Sequence, residues 1–225
     1  MINFIEKLIP SIIKRKAHQY ILNKIRSNNL LISKEIPKIN LQNHHLVNAK
    51  LLPHREALLA LLPKEGVVAE LGVDEGNFSR KILDICKPKS LYLVDVWDTE
   101  RFSQTKKEQV FAKFAEEISA GSVQIQVGLS TKAVEHFEDD FFDWIFIDTD
   151  HSYKTTLEEL NLWSKKVKPN GMIVCHDFIV GNWNAMIRYG VREAVYEFCT
   201  NHQWEIIYVT MEIDFHPSVA IRRAE

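Results

Sequence analysis

Five side chains carry most of the chemistry legible in this sequence: Asp148, Asp150 and His151 in "WIFIDTDHSY", and His176 and Asp177 in "MIVCHDF". Both groups follow apolar, β-rich runs, and in an open parallel sheet ligands bind beyond the carboxyl ends of the strands. The two groups should therefore converge on one rim. Carboxylates and imidazoles within mutual reach supply either a general base for a hydroxyl acceptor or a hard-metal site. His151 is the more natural base, because an unperturbed imidazole titrates near neutrality. Taken singly, Asp148 would serve equally as a cap for the helix begun by "HSYKTT", and His176 as a satisfied core histidine. The clustering favours chemistry.

A second group lies upstream. "VVAELGVDEGNFSRKIL" is an apolar run that enters a small-residue loop and then a helix, with Glu70 at the strand end and Gly72 and Gly76 four apart. The spacing is not the G-x-G-x-x-G that lets backbone approach a pyrophosphate, and no Lys-Ser or Lys-Thr follows, so P-loop chemistry is excluded. An acid at that point repels phosphate and suits a cationic or hydroxyl-rich ligand. Asp95 ends the next β-rich run, "SLYLVD", and can accept both hydroxyls of a ribose or cap the following helix. "VQIQVGLS" then places Gly128 and Ser130 at a third strand tip, suited to a base edge or to a turn. Three consecutive tips of this kind point to an adenosine site.

The elements that must position these groups alternate. "VVAEL", "SLYLVDV", "VQIQVG", "FDWIFID" and "GMIVCHD" are separated by helical stretches, the pattern of a parallel sheet covered on both faces. "WEIIYVT" and "SVAIRR" are joined by a link too short for a crossover, so they should be antiparallel neighbours. A charged helix is expected from about Ser103 to Ala120. Trp144, Phe146 and Trp163 fall on apolar faces and belong to the core. "GNWNAMIRYG" is rich in binding side chains: Trp183, Asn184, Arg188 and Tyr189 face an acceptor or close over the core, and Arg188 or Arg192 could pair with an acidic group. Glu193 and Glu197 read as solvated.

One domain from residue 53 to 225 is expected, preceded by an arm and connector over residues 1–52. In "MINFIEKLIPSIIKRKAHQYILNKIRS" the bases Lys7, Lys14, Arg15, Lys16, Lys24 and Arg26 face a single acid, Glu6, while Ile13, Ala17, Tyr20, Ile21 and Ile25 recur at helical spacing. This is a basic amphipathic helix restarted at Pro10, whose apolar face packs on the domain, on a second subunit, or on a membrane surface. Residues 27–50 have no sustained period and read as an irregular connector or lid.

Bulk composition narrows the class. A net charge of -2 gives no signature of nucleic-acid binding. Cys86, Cys175 and Cys199 are odd in number, widely spaced and without a C-x-x-C, which suggests neither a disulfide framework nor a zinc site and fits a cytoplasmic protein. No apolar run approaches the roughly 20 residues of a membrane span.

As a set, E-x-G-x-x-x-G at Glu70, Gly72 and Gly76, Asp95 in "LVDVWD", "DWIFIDTDHSY" and "KPNGMIVCHDF" resemble the class I S-adenosylmethionine-dependent methyltransferases. The match is to the small-molecule branch with I-D-x-D-H-x-Y after the fourth strand (methyltransferase domain 24-like), and runs from about Val67 to Arg223. The resemblance implies a Rossmann-like α/β fold with seven strands in the order 3-2-1-4-5-7-6, the seventh antiparallel. It implies S-adenosylmethionine as cofactor, with Gly72 and Gly76 under the methionine part, Glu70 near its amino group, Asp95 on the ribose, Trp97 by the adenosine and Ser130 at the adenine. Asp148, His151 and His176 are then the candidate catalytic residues, Asp148 also touching the cofactor. Relatives of the catechol O-methyltransferase kind hold magnesium through an Asp after strand four and an Asp-Asn pair after strand five. Asp148 and Asp177 match two of these ligands, but Phe178 stands where the Asn would be, which leaves Mg2+ or another divalent cation open. The implied acceptor is a small-molecule hydroxyl, of a sugar or secondary metabolite. A metal-dependent hydrolase or lyase, and a non-catalytic nucleoside-binding protein, are the rival readings on the same fold.

Overall fold

The computed structural model describes residues 11–98, 103–212 and 216–224. The expected helix restart at Pro10 lies outside them. Helix α1 (Ser11–Glu35) leads through an irregular segment to strand β1 (Lys50–Leu52), then α2 (Arg55–Leu61), β2 (Val67–Leu71), α3 (Asn77–Cys86) and β3 (Ser90–Asp95). Next come α4 (Gln104–Lys113), α5 (Ala115–Ser119), β4 (Val123–Val127), α6 (Ser130–Ala133), β5 (Phe142–Ile147), α7 (Tyr153–Trp163) and β6 (Val167–Cys175). A hairpin of β7 (Gly181–Asn182) and β8 (Ile187–Arg188) precedes α8 (Val191–His202), β9 (Trp204–Thr210) and β10 (Val219–Arg223).

Eight strands form one sheet in the order β4-β3-β2-β5-β6-β10-β9-β1, in which β10 runs antiparallel to both of its neighbours. The other pairings are parallel. The fold is Rossmann-like α/β, as expected, with one strand more than the seven expected. The addition is β1, which pairs with β9 in register Lys50 to Tyr208. Its three residues were expected to be connector, because so short a run has no readable period. Only the partner edge makes it a strand.

Helices cover both faces of the sheet, so its central strands bury side chains on both sides and read as continuous apolar runs. One core packs Phe142, Trp163 and Phe198 against β5 and β6. The other packs Trp97, Phe114, Trp144 and Phe146 with Ile82 and Cys86 of α3. Trp144, Phe146 and Trp163 are buried, in agreement with the sequence.

Two helices differ from expectation. The charged helix is interrupted at Phe114, whose buried ring lies where a side chain on Gly76 would collide with it. The N-terminal helix does not end near Ser27 but runs to Glu35. Its Ser-Asn-Asn stretch is a poor helix former, and tertiary contacts overcome that weakness. The Asn29 amide donates to the Met186 carbonyl (2.9 Å) and Arg188 donates to Ser33 Oγ (3.3 Å).

Candidate active site

At the carboxyl ends of β2, β3, β4 and β5 lies a cavity of about 610 Å³. That volume falls in the range of small-molecule and cofactor sites. Glu70, Gly72, Asp95, Ser130, Asp148 and His151 all line it. Gly76 and Trp97 do not: Gly76 closes the loop against the Phe114 ring, and Trp97 is buried in the core.

The loop is shaped by close approach. Gly72 has φ +85, and a Cβ there would come 2.0 Å from the Asp148 carbonyl oxygen. Gly76, at φ +69, starts α3 against the Phe114 ring. Asp95 Oδ2 accepts from the Val73 amide (2.7 Å) and the Asp74 amide (2.9 Å), and Oδ1 accepts from the Trp97 amide at 3.3 Å. The residue expected to hold a ribose therefore also holds the glycine loop. Trp97, expected beside the adenosine, is fully buried and donates its indole N–H to the Asp74 carbonyl (3.0 Å), supporting the loop from below.

Two buried acids shape the cavity, Glu70 in its lining and Glu159 through the lining residues Ser130 and Thr149. Glu70 accepts from Ser79 Oγ, and its burial pushes its pKa up to about 8, with the field of Asp148 adding to the rise. Glu159 was missed in the sequence. It is fully buried and accepts from Ser130 Oγ and from Thr149 Oγ1 (2.9 Å), so it ties the tip of β4 to the tip of β5. Burial raises its pKa to about 7. A signal was present: Thr156, Glu159 and Trp163 share one helix stripe by their spacing of three and four, and that stripe is the buried one.

Beyond the ends of β5 and β6, His151 Nδ1 lies 3.2 Å from Asp177 Oδ2 and 3.8 Å from Asp148 Oδ1. Asp177 is itself buried, and its other oxygen pairs with His216 Nδ1, a partner the sequence reading did not find. His151 and Asp177 both have positive φ, 61° and 55°. Non-glycine residues in that region carry roughly 1–3 kcal/mol of strain, which collects at functional sites. Asp148 does not cap α7, since Ser152 does so by accepting from the Thr155 amide.

His176, by its sequence a catalytic candidate or a satisfied core histidine, has a partner at each ring nitrogen. Arg55, which cannot accept, faces Nε2 at 3.3 Å, so that nitrogen takes the hydrogen bond and the ring proton sits on Nδ1, donating to Ser218 Oγ (3.1 Å). Burial and the adjacent Arg55 hold its pKa well below the usual imidazole value. Both nitrogens are engaged, which suits a supporting role. Arg188 and Arg192 are paired with Glu193 at 2.6 and 3.1 Å, and Glu193, expected to be solvated, is largely buried between them. Glu197, also expected to be solvated, accepts from the Tyr153 hydroxyl (2.5 Å).

Asp148, His151 and Asp177 each offer a ligand atom, all within 4.8 Å of one another. An oxygen, nitrogen, oxygen set fits a manganese, iron or zinc ion better than magnesium, which prefers oxygen throughout. The cavity also fits S-adenosylmethionine by donor chemistry. Asp95 Oδ1 has only a long contact, leaving acceptor capacity for a ribose hydroxyl, and Glu70 meets the need for an acid beside an ammonium.

Residues 69–178 match the family model described as a methyltransferase domain. No curated protein matches the chain. Among solved structures, a tRNA methyltransferase of B. subtilis is 12% identical, covering 77% of this chain and 67% of its own, with a TM-score of 0.55. An S-adenosylmethionine-dependent methyltransferase of Aquifex aeolicus is 15% identical over 72% of this chain and 84% of its own, at 0.53. Aeropyrum pernix fibrillarin, solved with natively bound S-adenosyl-L-methionine, is 14% identical over 74% of this chain and 73% of its own, at 0.55. At such identities the likeness is one of fold.

Proposed function

We propose, from the premise that residues 69–178 form a class I S-adenosylmethionine-dependent methyltransferase domain, that this protein methylates a hydroxyl oxygen of a small acceptor, a sugar or secondary metabolite. One observation carries the reading: a single cavity connects the Glu70–Gly72 loop with His151, whose imidazole is paired with a buried carboxylate. The family match supports methyl transfer over a hydrolase or lyase on the same fold. The RNA named for the B. subtilis protein is not carried over, because the net charge of -2 gives no nucleic-acid signature.

When bound, the cofactor supplies a methyl group on a sulfonium that needs no chemical activation. The protein's part is to orient the acceptor and to take its proton. Asp177 Oδ2, 3.2 Å from His151 Nδ1, favours the proton on that nitrogen, which leaves the lone pair on Nε2. His216, on the other oxygen of Asp177, keeps that carboxylate in place. Asp95 and Glu70 hold the nucleoside and amino-acid ends apart from the acceptor.

His151→Gln tests this. With labelled S-adenosylmethionine and a panel of sugars and phenols, the variant should lose about 10²–10⁴ in kcat while binding S-adenosylhomocysteine as the parent does. Unchanged turnover, or methylation of amines alone, would sink the oxygen-transfer reading. The Asp148, His151 and Asp177 cluster favours a second arm with the same atoms as metal ligands. Activity lost in EDTA and restored by Mn2+ would move His151 from base to ligand.

A further inference from the structure

We propose that α1 and the β7–β8 hairpin together form a docking surface for an anionic lipid bilayer. The inference is independent of the reaction. Helix α1 has two apolar faces. Leu22, Ile25 and Ile32, spaced by three and seven residues, turn with Asn29 and Ser33 toward the domain and are partly buried, and Ile36 just past the helix is buried. Ile13, Ala17, Tyr20 and Leu31 occupy a different rotational position, about 100° per residue, and all are exposed, Tyr20 at 69%. Ile12, Ile21 and Leu30 are exposed as well.

The hairpin supplies the second observation. Trp183 at its tip is 91% exposed, and Met186 and Ile187 beside it are also exposed. The hydrogen bonds from Asn29 to Met186 and from Arg188 to Ser33 join helix and hairpin into one unit. An indole that finds no protein cover is suited to the headgroup layer, where one edge is wet and the ring is apolar.

Charge selects the occupant. From Ser11 to Glu35 the helix carries Lys14, Arg15, Lys16, Lys24, Arg26 and Lys34 against Glu35 alone, on a chain whose net charge is -2. A second copy seated on this face would bring like charges together. RNA would satisfy the bases but offers no apolar layer for the isoleucines and leucines. An anionic bilayer takes both, with lysine stems lying along apolar surface and their ammonium groups at the phosphates. Among the described residues no helix is long and apolar enough to cross a membrane, so the contact is peripheral.

The test is flotation of the full chain with vesicles of phosphatidylcholine alone or with phosphatidylserine. Expected is binding to the anionic vesicles only, weakened by salt, lowered about a hundredfold by Lys14→Gln with Arg15→Gln and Lys16→Gln, and lowered several-fold by Trp183→Ala. These exposed positions leave the fold intact, which circular dichroism checks. Absence of vesicle binding would overturn the proposal, as would binding that ignores lipid charge and both variants. Concentration-dependent dimers disrupted by Tyr20→Asp, without vesicle binding, would assign the face to a second copy; RNA binding without vesicle binding would assign it to nucleic acid.

Discussion

Asp95 is the residue on which binding and architecture meet. Its carboxylate lies at the tip of β3, yet it receives two short hydrogen bonds from the backbone of the neighbouring loop. Hydrogen bonds to a charged acceptor contribute about 1.5–3 kcal/mol each. Removing the side chain therefore loosens the Gly72 loop and, if the cavity takes a nucleoside as proposed, deletes a ribose contact at once. Asp95→Ala should lower the melting temperature of the ligand-free protein and weaken S-adenosylhomocysteine binding by about a hundredfold, the equivalent of roughly 2.7 kcal/mol. Scanning calorimetry and titration calorimetry read the two effects separately. An unchanged melting temperature would show that the loop stands without Asp95, and unchanged affinity would remove it from the nucleoside site. Asp95→Asn should restore the loop bonds, because its amide oxygen can replace Oδ2 and accept from both Val73 and Asp74, but not the affinity, because the amide nitrogen then stands where Oδ1 was and cannot accept a hydrogen bond.

At the scale of elements, the tightest constraint is the passage of β2 past the tip of β5. Gly72→Ala would drive a Cβ to 2.0 Å from the Asp148 carbonyl oxygen, at a φ few side chains adopt, so either the strand ends part or the domain does not close. The expected cost is about 3 kcal/mol or more in urea denaturation. Gly121→Ala is the control: its φ is +78 but nothing lies within 4 Å, so it should cost only about 1–2 kcal/mol. Equal losses at the two positions would mean that φ, and not the close approach, governs the loop. The glycine loop is readable in the sequence because strand, acid, glycines and helix follow one another in the chain. The sheet was readable for the same reason, since each strand from β2 to β6 is bounded by its own helix. What the chain did not announce depended on partners distant in sequence. Lys50–Leu52 is a strand only because β9 offers an edge, and Asn29 and Ser33 continue α1 only because the hairpin meets them. Trp97 was misplaced for a related reason: an aromatic after a ribose-binding acid suggests stacking, whereas here the backbone turns at φ 44° and sends the ring into the core. His216, 39 residues from Asp177, had no local signal at all.

The whole molecule keeps two acids buried, Glu70 in the wall of the cavity and Glu159 behind Ser130 and Thr149, and this sets how its stability depends on pH. Glu70 and Glu159 have folded-state pKa values raised to about 8 and about 7, while in the unfolded chain each returns to the ordinary value of 4.5. Below pH 4.5 both states hold these protons and neither acid favours unfolding. As pH rises from there, the unfolded chain ionises first, so stability is lost progressively until the folded groups ionise as well. The loss from Glu159 should end near pH 7 and that from Glu70 near pH 8. Denaturation midpoints of the ligand-free protein, compared at each pH with Glu70→Gln and Glu159→Gln, isolate the two contributions from those of other groups. The glutamine variants should gain relative to the parent between pH 5 and about pH 8. A ligand bearing an ammonium beside Glu70 reverses the preference, because a nearby cation favours the carboxylate. S-adenosylhomocysteine should then bind more tightly as pH rises from 6 toward 8, with release of a proton that titrations in two buffers of different ionisation enthalpy detect. Glu70→Gln should abolish both the slope and the proton. If the parent binds without proton release, or the slope survives in Glu70→Gln, the amino-acid end of the ligand does not sit against Glu70, and the orientation of the nucleoside in the cavity must be reversed.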